Sequence, residues 1–189
     1  MPHRNSLGVK RLACTTEENR MAQQTKQLDE LFHEGLKDIY FAEKKILTAL
    51  LKLAKAAQSK DLVDAFEKHR AETEEHVVRL EQVFKLIKQE PHGKTCPAIM
   101  GLVEEGQEIA KEYQDSPALD AGLLAAAQAV EHYEISRYGT LKCWAGELGY
   151  NEAVKLLDAT LAEEKKTDAA LTSLAESEVN LHAQTAQAA

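Results

Sequence analysis

Seven acidic or imidazole side chains occupy positions where the helical pattern of this 189-residue sequence calls for apolar residues. A wheel at about 100° per residue places them on or beside the apolar stripes of four predicted helices. Burying unpaired ionised groups costs several kcal/mol each, and these stripes carry few Lys or Arg. Divalent cations would supply the missing positive charge. The seven predicted metal ligands are Glu43, Glu72, His76, Glu131, Glu134, Glu164 and Asp168.

Each of these residues also has an ordinary structural interpretation. Glu43 alone could extend its carboxylate along the helix to water, and His76 alone is more often a hydrogen-bonded core histidine than a ligand. The pair Glu131 and Glu134 is harder to explain in this way, because both occupy a central stripe far from any helix end. His69 also falls on the stripe of the second helix, whereas Glu72 lies at its edge. The whole set, rather than any member, predicts a metal site.

The predicted ligands define the kind of metal. Six of the seven are carboxylates and one is an imidazole, and such hard donors suit iron or manganese. Cys14, Cys96 and Cys143 lie far apart without a Cys-x-x-Cys pair, so neither a disulfide framework nor a thiolate zinc site is expected. The sequence therefore predicts two divalent metal ions, with iron favoured and manganese as the alternative.

Four long helices must position these side chains, and no strand is predicted. Four long helices are expected over about 25–57, 61–90, 119–144 and 151–177, with Ser59 and Asn151 at helix starts. A short helix follows Pro97. Short links make two antiparallel hairpins, and the long link over about 90–117 can travel the length of a bundle. The predicted class is all-α: a ferritin-like four-helix bundle with a long crossover that contains a short fifth helix.

Composition bounds the remaining possibilities. Aromatic residues make up only 5%, with 9 Gly and 4 Pro, which argues against a sandwich or barrel. A net charge of −8 disfavours nucleic acid and anionic membranes as partners. No apolar run approaches the roughly 18 residues of a membrane span or a signal-peptide core, so a cytoplasmic location is expected. We expect a disordered segment over 1–24, the bundle over 25–178 and a flexible tail over 179–189.

One known family resembles these patterns. Residues 129–134 (AVEHYE) resemble the third-helix motif of rubrerythrin-like proteins, in which two glutamates three residues apart serve a di-iron centre. Longer runs over 38–46, 69–84, 125–141 and 160–171 look like the YciE/YciF-type bacterial stress proteins of the ferritin-like superfamily. The resemblance covers roughly 25–178. It implies a four-helix bundle with a dinuclear site, a dimer and a link to stress responses.

The sequence departs from the common di-iron pattern in its spacing. The usual motif is Glu-x-x-His, whereas here Glu72 and His76, and likewise Glu164 and Asp168, are four residues apart. The replacement of one imidazole by Asp168 indicates either a harder metal or one weakly occupied site.

Three functions are consistent with these patterns. The first is an oxidoreductase-like di-iron protein that consumes O2 or peroxide under stress. The second is a non-enzymatic protein that binds or sequesters the metal, and the third is a helical interaction module whose polar core only sets specificity. A homodimer is also predicted, because Leu31, Phe41 and Leu51 lie off the core stripe of the first helix.

Overall fold

The computed structural model describes residues 26–185, and each element in that range is helical. The all-α prediction is therefore confirmed for the described residues. The segment 1–24, for which disorder is predicted, lies outside them. The elements are α1 (Leu28–Ala56), α2 (Lys60–Leu86), α3 (Pro97–Glu112), α4 (Leu119–Glu147) and α5 (Asn151–Leu174), followed by a π-helical segment (Ala175–Val179) and α6 (Asn180–Thr185).

The helices begin where local chemistry satisfies their first backbone N–H groups. Ser59 caps α2 as predicted, because its hydroxyl accepts a hydrogen bond from the backbone N–H of Leu62. The prediction of Asn151 as an N-cap is wrong: Tyr150 occupies that position without a side-chain cap. The Tyr150 N–H donates instead to the carbonyl of Ala145 at 2.8 Å. Gly149 permits this tight turn with a φ of 76°.

The four long helices form a closed bundle. α1 packs on α2 and α4 packs on α5, while contacts of α2 with α5 and of α1 with α4 complete the ring. The shorter α3 lies against α1 and α4. Along α1, buried Leu36 and Ile39 precede Glu43, and buried Ile46 and Leu50 follow it. Apolar layers on both sides therefore isolate the middle of the bundle from water.

The C-terminal part of the described chain continues the bundle. The sequence predicts a flexible tail over 179–189, of which 186–189 lie outside the described residues. Within the described part, Val179 is buried and α6 extends the helix to Thr185. The hydroxyl of Ser59 also donates to Glu178 Oε1 at 2.8 Å, which fixes this segment to the α1–α2 turn. No helix in the described range is both long enough and apolar enough to cross a membrane.

Candidate metal centre

Five of the seven predicted ligands meet at mid-length of the bundle. They come from all four long helices, and each is at most 1% exposed. Helical periodicity explains this placement, since each side chain replaces an apolar residue on the buried stripe of its helix. The five are Glu43 on α1, His76 on α2, Glu131 and Glu134 on α4, and Glu164 on α5.

His69 is a sixth member that the predicted ligand set leaves out. It is 3% exposed, and its Nε2 lies 3.1 Å from Glu131 Oε1 and 3.9 Å from Glu164 Oε2. The signal that could have found it is its position on the apolar stripe, seven residues or two turns before His76. The Glu-x-x-His pattern of the resembled family directs attention to Glu72 instead.

Glu72 and Asp168 do not join this cluster. Glu72 turns outward from the edge of its stripe and forms an ion pair with Lys68 at 3.0 Å. Asp168 accepts a hydrogen bond from Gln128 Nε2 at 3.2 Å and lies 3.2 Å from His132 Nε2. Both carboxylates find partners and water at the surface, where an ionised group avoids the cost of desolvation.

The six clustered residues divide into two groups that share Glu164. One group contains His69, Glu131, Glu134 and Glu164, and the other contains Glu43, His76 and Glu164. Within each group, one ligand atom from every residue lies within 4.8 Å of all the others. In the second group, His76 Nδ1 lies 2.9 Å from Glu164 Oε1 and 3.7 Å from Glu43 Oε1. Each group could hold one metal ion, with Glu164 between the two.

Unsatisfied polar atoms line this cluster. Buried polar groups are nearly always hydrogen-bonded in native proteins, yet nine nitrogen or oxygen atoms of the six residues have no hydrogen-bond partner. Both oxygens of Glu134 and both oxygens of Glu164 are among them. Four carboxylates and two imidazoles are the ligand set of dinuclear carboxylate sites in helix bundles. Both the unsatisfied polar atoms and the types of donor therefore fit two divalent cations.

Burial and crowding shift the acid–base equilibria of the cluster. Desolvation raises the pKa of Glu43 to about 7 and that of Glu131 to about 7, although nearby His76 and His69 oppose the shift. Desolvation and neighbouring carboxylates raise the pKa of Glu134 well above its usual value. Burial lowers the pKa of His76, but Glu164 and Glu43 outweigh it and raise the pKa to about 9. Without metal, the cluster thus retains protons that its ligand atoms would lose on binding a cation.

Other polar residues form hydrogen bonds with the candidate ligands and fix their orientation. The hydroxyl of Tyr138 is fully buried and donates to Glu43 Oε1. His76 Nε2 lies 3.0 Å from Glu163 Oε2, and Arg79 forms an ion pair with that same carboxylate. Arg79 lowers the pKa of Glu163, which keeps this outer carboxylate ionised.

The fold and the cluster together define an all-helical bundle with a buried carboxylate–imidazole centre. The chain belongs to the family described as "Domain of unknown function (DUF892)", which matches residues 27–184. Protein YciF of Escherichia coli (strain K12) is 44% identical over 163 residues, which are 84% of this chain and 96% of that protein. The predicted resemblance to the YciF family is therefore confirmed.

Two solved structures are similar to this chain. The crystal structure of the E. coli stress protein YciF superposes with a TM-score of 0.78 at 43% identity, over 82% of this chain and 99% of that one. The protein YcfI of Rhodopseudomonas palustris superposes with a TM-score of 0.76 at 44% identity, over 80% of this chain and 96% of that one.

Proposed function

We propose that this chain is a ferritin-like bundle that binds two divalent metal ions, most favourably iron, and acts in a stress response. The observation that supports the metal site best is the pair of buried groups that share Glu164. The stress role is inferred from similarity to YciF, which is called a stress protein.

The contacts between helices support the ferritin-like topology. α2 and α4 run in the same direction, since His69 contacts Glu131 and the rings of His76 and Tyr138 lie 6.3 Å apart. Two helices that run in parallel need a connection that returns along the bundle. The link from α2 to α4, which contains α3, is long enough for this path.

The second imidazole strengthens the choice of iron. Sequence reasoning finds one histidine among the ligands, whereas His69 and His76 give each group one nitrogen donor. Imidazole and carboxylate together suit iron, and manganese is the alternative. Glu43, His76 and Glu164 would hold one ion, and His69, Glu131 and Glu134 would hold the other with Glu164. Two bound iron ions would supply the electrons that reduce a small oxidant such as O2 or peroxide.

The protein residues contribute positioning and isolation from water. Tyr138 fixes one oxygen of Glu43 by donating its hydroxyl hydrogen, and apolar layers above and below the cluster exclude water. Because all six residues are almost completely buried, only a small molecule could reach the site. Such burial equally favours our second candidate, a protein that binds and sequesters metal without turnover.

We also infer a cytoplasmic location, because the two described cysteines are free thiols rather than a disulfide.

The metal content of the purified chain tests the first part of the proposal. We expect two equivalents of iron per chain after reconstitution with Fe²⁺ under anaerobic conditions, and two anomalous-scattering peaks at the iron edge, one within each group. Consumption of O2 or peroxide by the reduced, iron-loaded protein would favour the oxidoreductase over sequestration. A chain that binds neither Fe²⁺ nor Mn²⁺ would leave the interaction module as the better interpretation.

A further inference from the structure

The two histidines of the cluster differ in what lies behind them. Each imidazole has one nitrogen near a cluster carboxylate. The other nitrogen of His76, Nε2, lies 3.0 Å from Glu163 Oε2. The other nitrogen of His69, Nδ1, has no hydrogen-bond partner among the described residues. Only the histidine of the Glu43–His76–Glu164 group therefore has an outer carboxylate.

Glu163 is itself held in place. Arg79 Nη2 donates to Glu163 Oε1 at 3.0 Å, and Arg79 Nη1 donates to Thr160 Oγ1 at 3.3 Å. The Glu163 side chain is 33% exposed and that of Arg79 is 23% exposed. The pair thus lies at the boundary between the buried cluster and solvent, where α2 faces α5. A carboxylate bound by an arginine fork is a fixed acceptor with one preferred orientation.

The contact between His76 and Glu163 determines which imidazole nitrogen can bind a metal ion. A carboxylate only accepts hydrogen bonds, so the hydrogen of a neutral His76 must reside on Nε2. The lone pair then resides on Nδ1, the atom that lies 2.9 Å from Glu164 and 3.7 Å from Glu43. A metal ligand needs that lone pair, and an acceptor on the opposite nitrogen also makes the imidazole a more basic ligand.

On the basis of the proposed metal-binding function, we propose that Glu163, held by Arg79, is a positioning residue that selects Nδ1 of His76 as a ligand for one of the two ions. The two ion sites are consequently unequal. The Glu43–His76–Glu164 site depends on an outer ion pair at the protein surface, and the site with His69 does not.

Titration of the metal-free full chain with Mn²⁺ tests this proposal. We expect two equivalents to bind the wild type. In Glu163→Gln, which keeps an acceptor oxygen but loses the charge, we expect one equivalent to keep its affinity and the other to weaken by about tenfold to a hundredfold. Glu163→Ala, which loses the acceptor, should weaken the same equivalent further. The matched control is Glu152→Gln, on the same helix, where the exposed carboxylate forms an ion pair with exposed Lys155.

A spectroscopic measurement separates positioning from a general loss of structure. In Zn²⁺-loaded wild type, ¹⁵N–¹H correlation of the imidazoles should show hydrogen on His76 Nε2 and metal on Nδ1. The same spectrum of Glu163→Ala, which loses the acceptor, should show this pattern lost for His76 and the His69 signals unchanged. Arg79→Met retains the Glu163 carboxylate and should weaken the binding of the same single equivalent by a smaller factor. This variant keeps the proposal testable if the Glu163 variants do not fold.

The possible results distinguish a failure of the role of Glu163 from a failure of the proposed metal-binding function. Two unchanged equivalents in Glu163→Gln, equal weakening of both, or metal on His76 Nε2 in the wild type would overturn the role of Glu163 while the proposed function stands. A wild-type chain that binds no Mn²⁺, Zn²⁺ or Fe²⁺ would overturn the proposed function together with this inference.

Discussion

At the residue scale, Glu134 is the buried carboxylate of the cluster whose negative charge is least compensated by hydrogen bonds or imidazole nitrogens. Neither of its oxygens has a hydrogen-bond partner, and neighbouring carboxylates raise its pKa further after desolvation has done so. Glu134→Gln removes that charge at nearly constant shape. We predict that the metal-free variant gains about 1 kcal/mol of unfolding free energy at pH 8, since an unpaired buried carboxylate is costly. Urea unfolding of the chelated protein measures this gain in unfolding free energy. The affinity of the variant for metal should be lower than that of the wild type.

Glu131 gives the contrasting prediction. Its Oε1 lies 3.1 Å from His69 Nε2, and Glu131 is a main reason why the pKa of His69 is raised despite burial. Glu131→Gln should therefore stabilise the metal-free protein at pH 8 less than Glu134→Gln does, because it also removes the buried partner of His69. Metal affinity should fall here as well. Equal effects of the two substitutions on metal-free stability would contradict this account of the cluster.

The residues that could be predicted from sequence are those at the centre of an apolar stripe. Glu43, Glu131, Glu134, Glu164 and His76 are all buried as the wheel indicates, because a central position leaves a side chain no route to water. A wheel does not decide edge positions. There a long side chain takes whichever partner is nearer, as Glu72 does with Lys68.

At the element scale, one side chain joins three helices at the end of the bundle. Asp120, in the first turn of α4, accepts hydrogen bonds from the backbone N–H groups of Gln58 at 2.8 Å and Ser59 at 2.7 Å. These groups belong to the turn between α1 and α2. Asp120→Ala should lower the unfolding free energy by about 1–2 kcal/mol, since charged hydrogen bonds to backbone are strong but this turn is partly exposed.

Thermal and urea unfolding measure this loss. The matched control is Asp115→Ala in the loop before α4, where the side chain is exposed and the change should stay within about 0.5 kcal/mol. Equal stabilities of the two variants would show that Asp120 does not fasten the turn.

Helix boundaries could be predicted where the sequence itself interrupts the backbone. Pro97 marks the start of α3 as the sequence predicts, whereas α2 ends at Leu86, a few residues before Pro91 and Gly93. The start of α5 at Asn151 is also predicted correctly, but the residue at its N-cap position could not be predicted this way. The ring of Tyr150 packs 5.8 Å from that of Phe32, and a tertiary contact between distant segments leaves no local signal at Asn151.

At the scale of the whole molecule, the homodimer remains a prediction. The structure leaves two of the three apolar residues on which it is based exposed. Phe41 is partly buried within the chain, because Gly93 approaches it so closely that an added Cβ would lie 3.0 Å from the Phe41 Cβ. Leu31 and Leu51 remain 51% and 41% exposed. Leu51→Glu should shift sedimentation from dimer to monomer. Leu181→Glu, at a similarly exposed leucine on α6, should leave the dimer intact, and a monomeric wild type at high concentration would contradict the prediction.

The stability of the metal-free protein should depend strongly on pH. The pKa values of Glu43 and Glu131 rise from 4.5 to about 7, and that of His76 rises from 6.5 to about 9. In each case the folded state holds a proton that the unfolded chain has already released, so stability falls as pH increases through that interval. Each of these three shifts alone corresponds to about 3 kcal/mol, so the metal-free protein should lose at least that much unfolding free energy between pH 5 and pH 9.

Metal binding should reverse this loss, because cations displace those protons and bind the folded chain alone. The increase in Tm on adding Mn²⁺ or anaerobic Fe²⁺ should therefore be small at pH 5 and several-fold larger at pH 8, with protons released to the buffer on binding. Thermal melting of chelated and metal-loaded protein at the two pH values measures both effects, and Glu134→Gln should show a reduced gain from metal at pH 8. Identical melting curves in all four conditions would mean that the buried carboxylates are compensated without cations. The polar core would then serve only to specify how the helices pair.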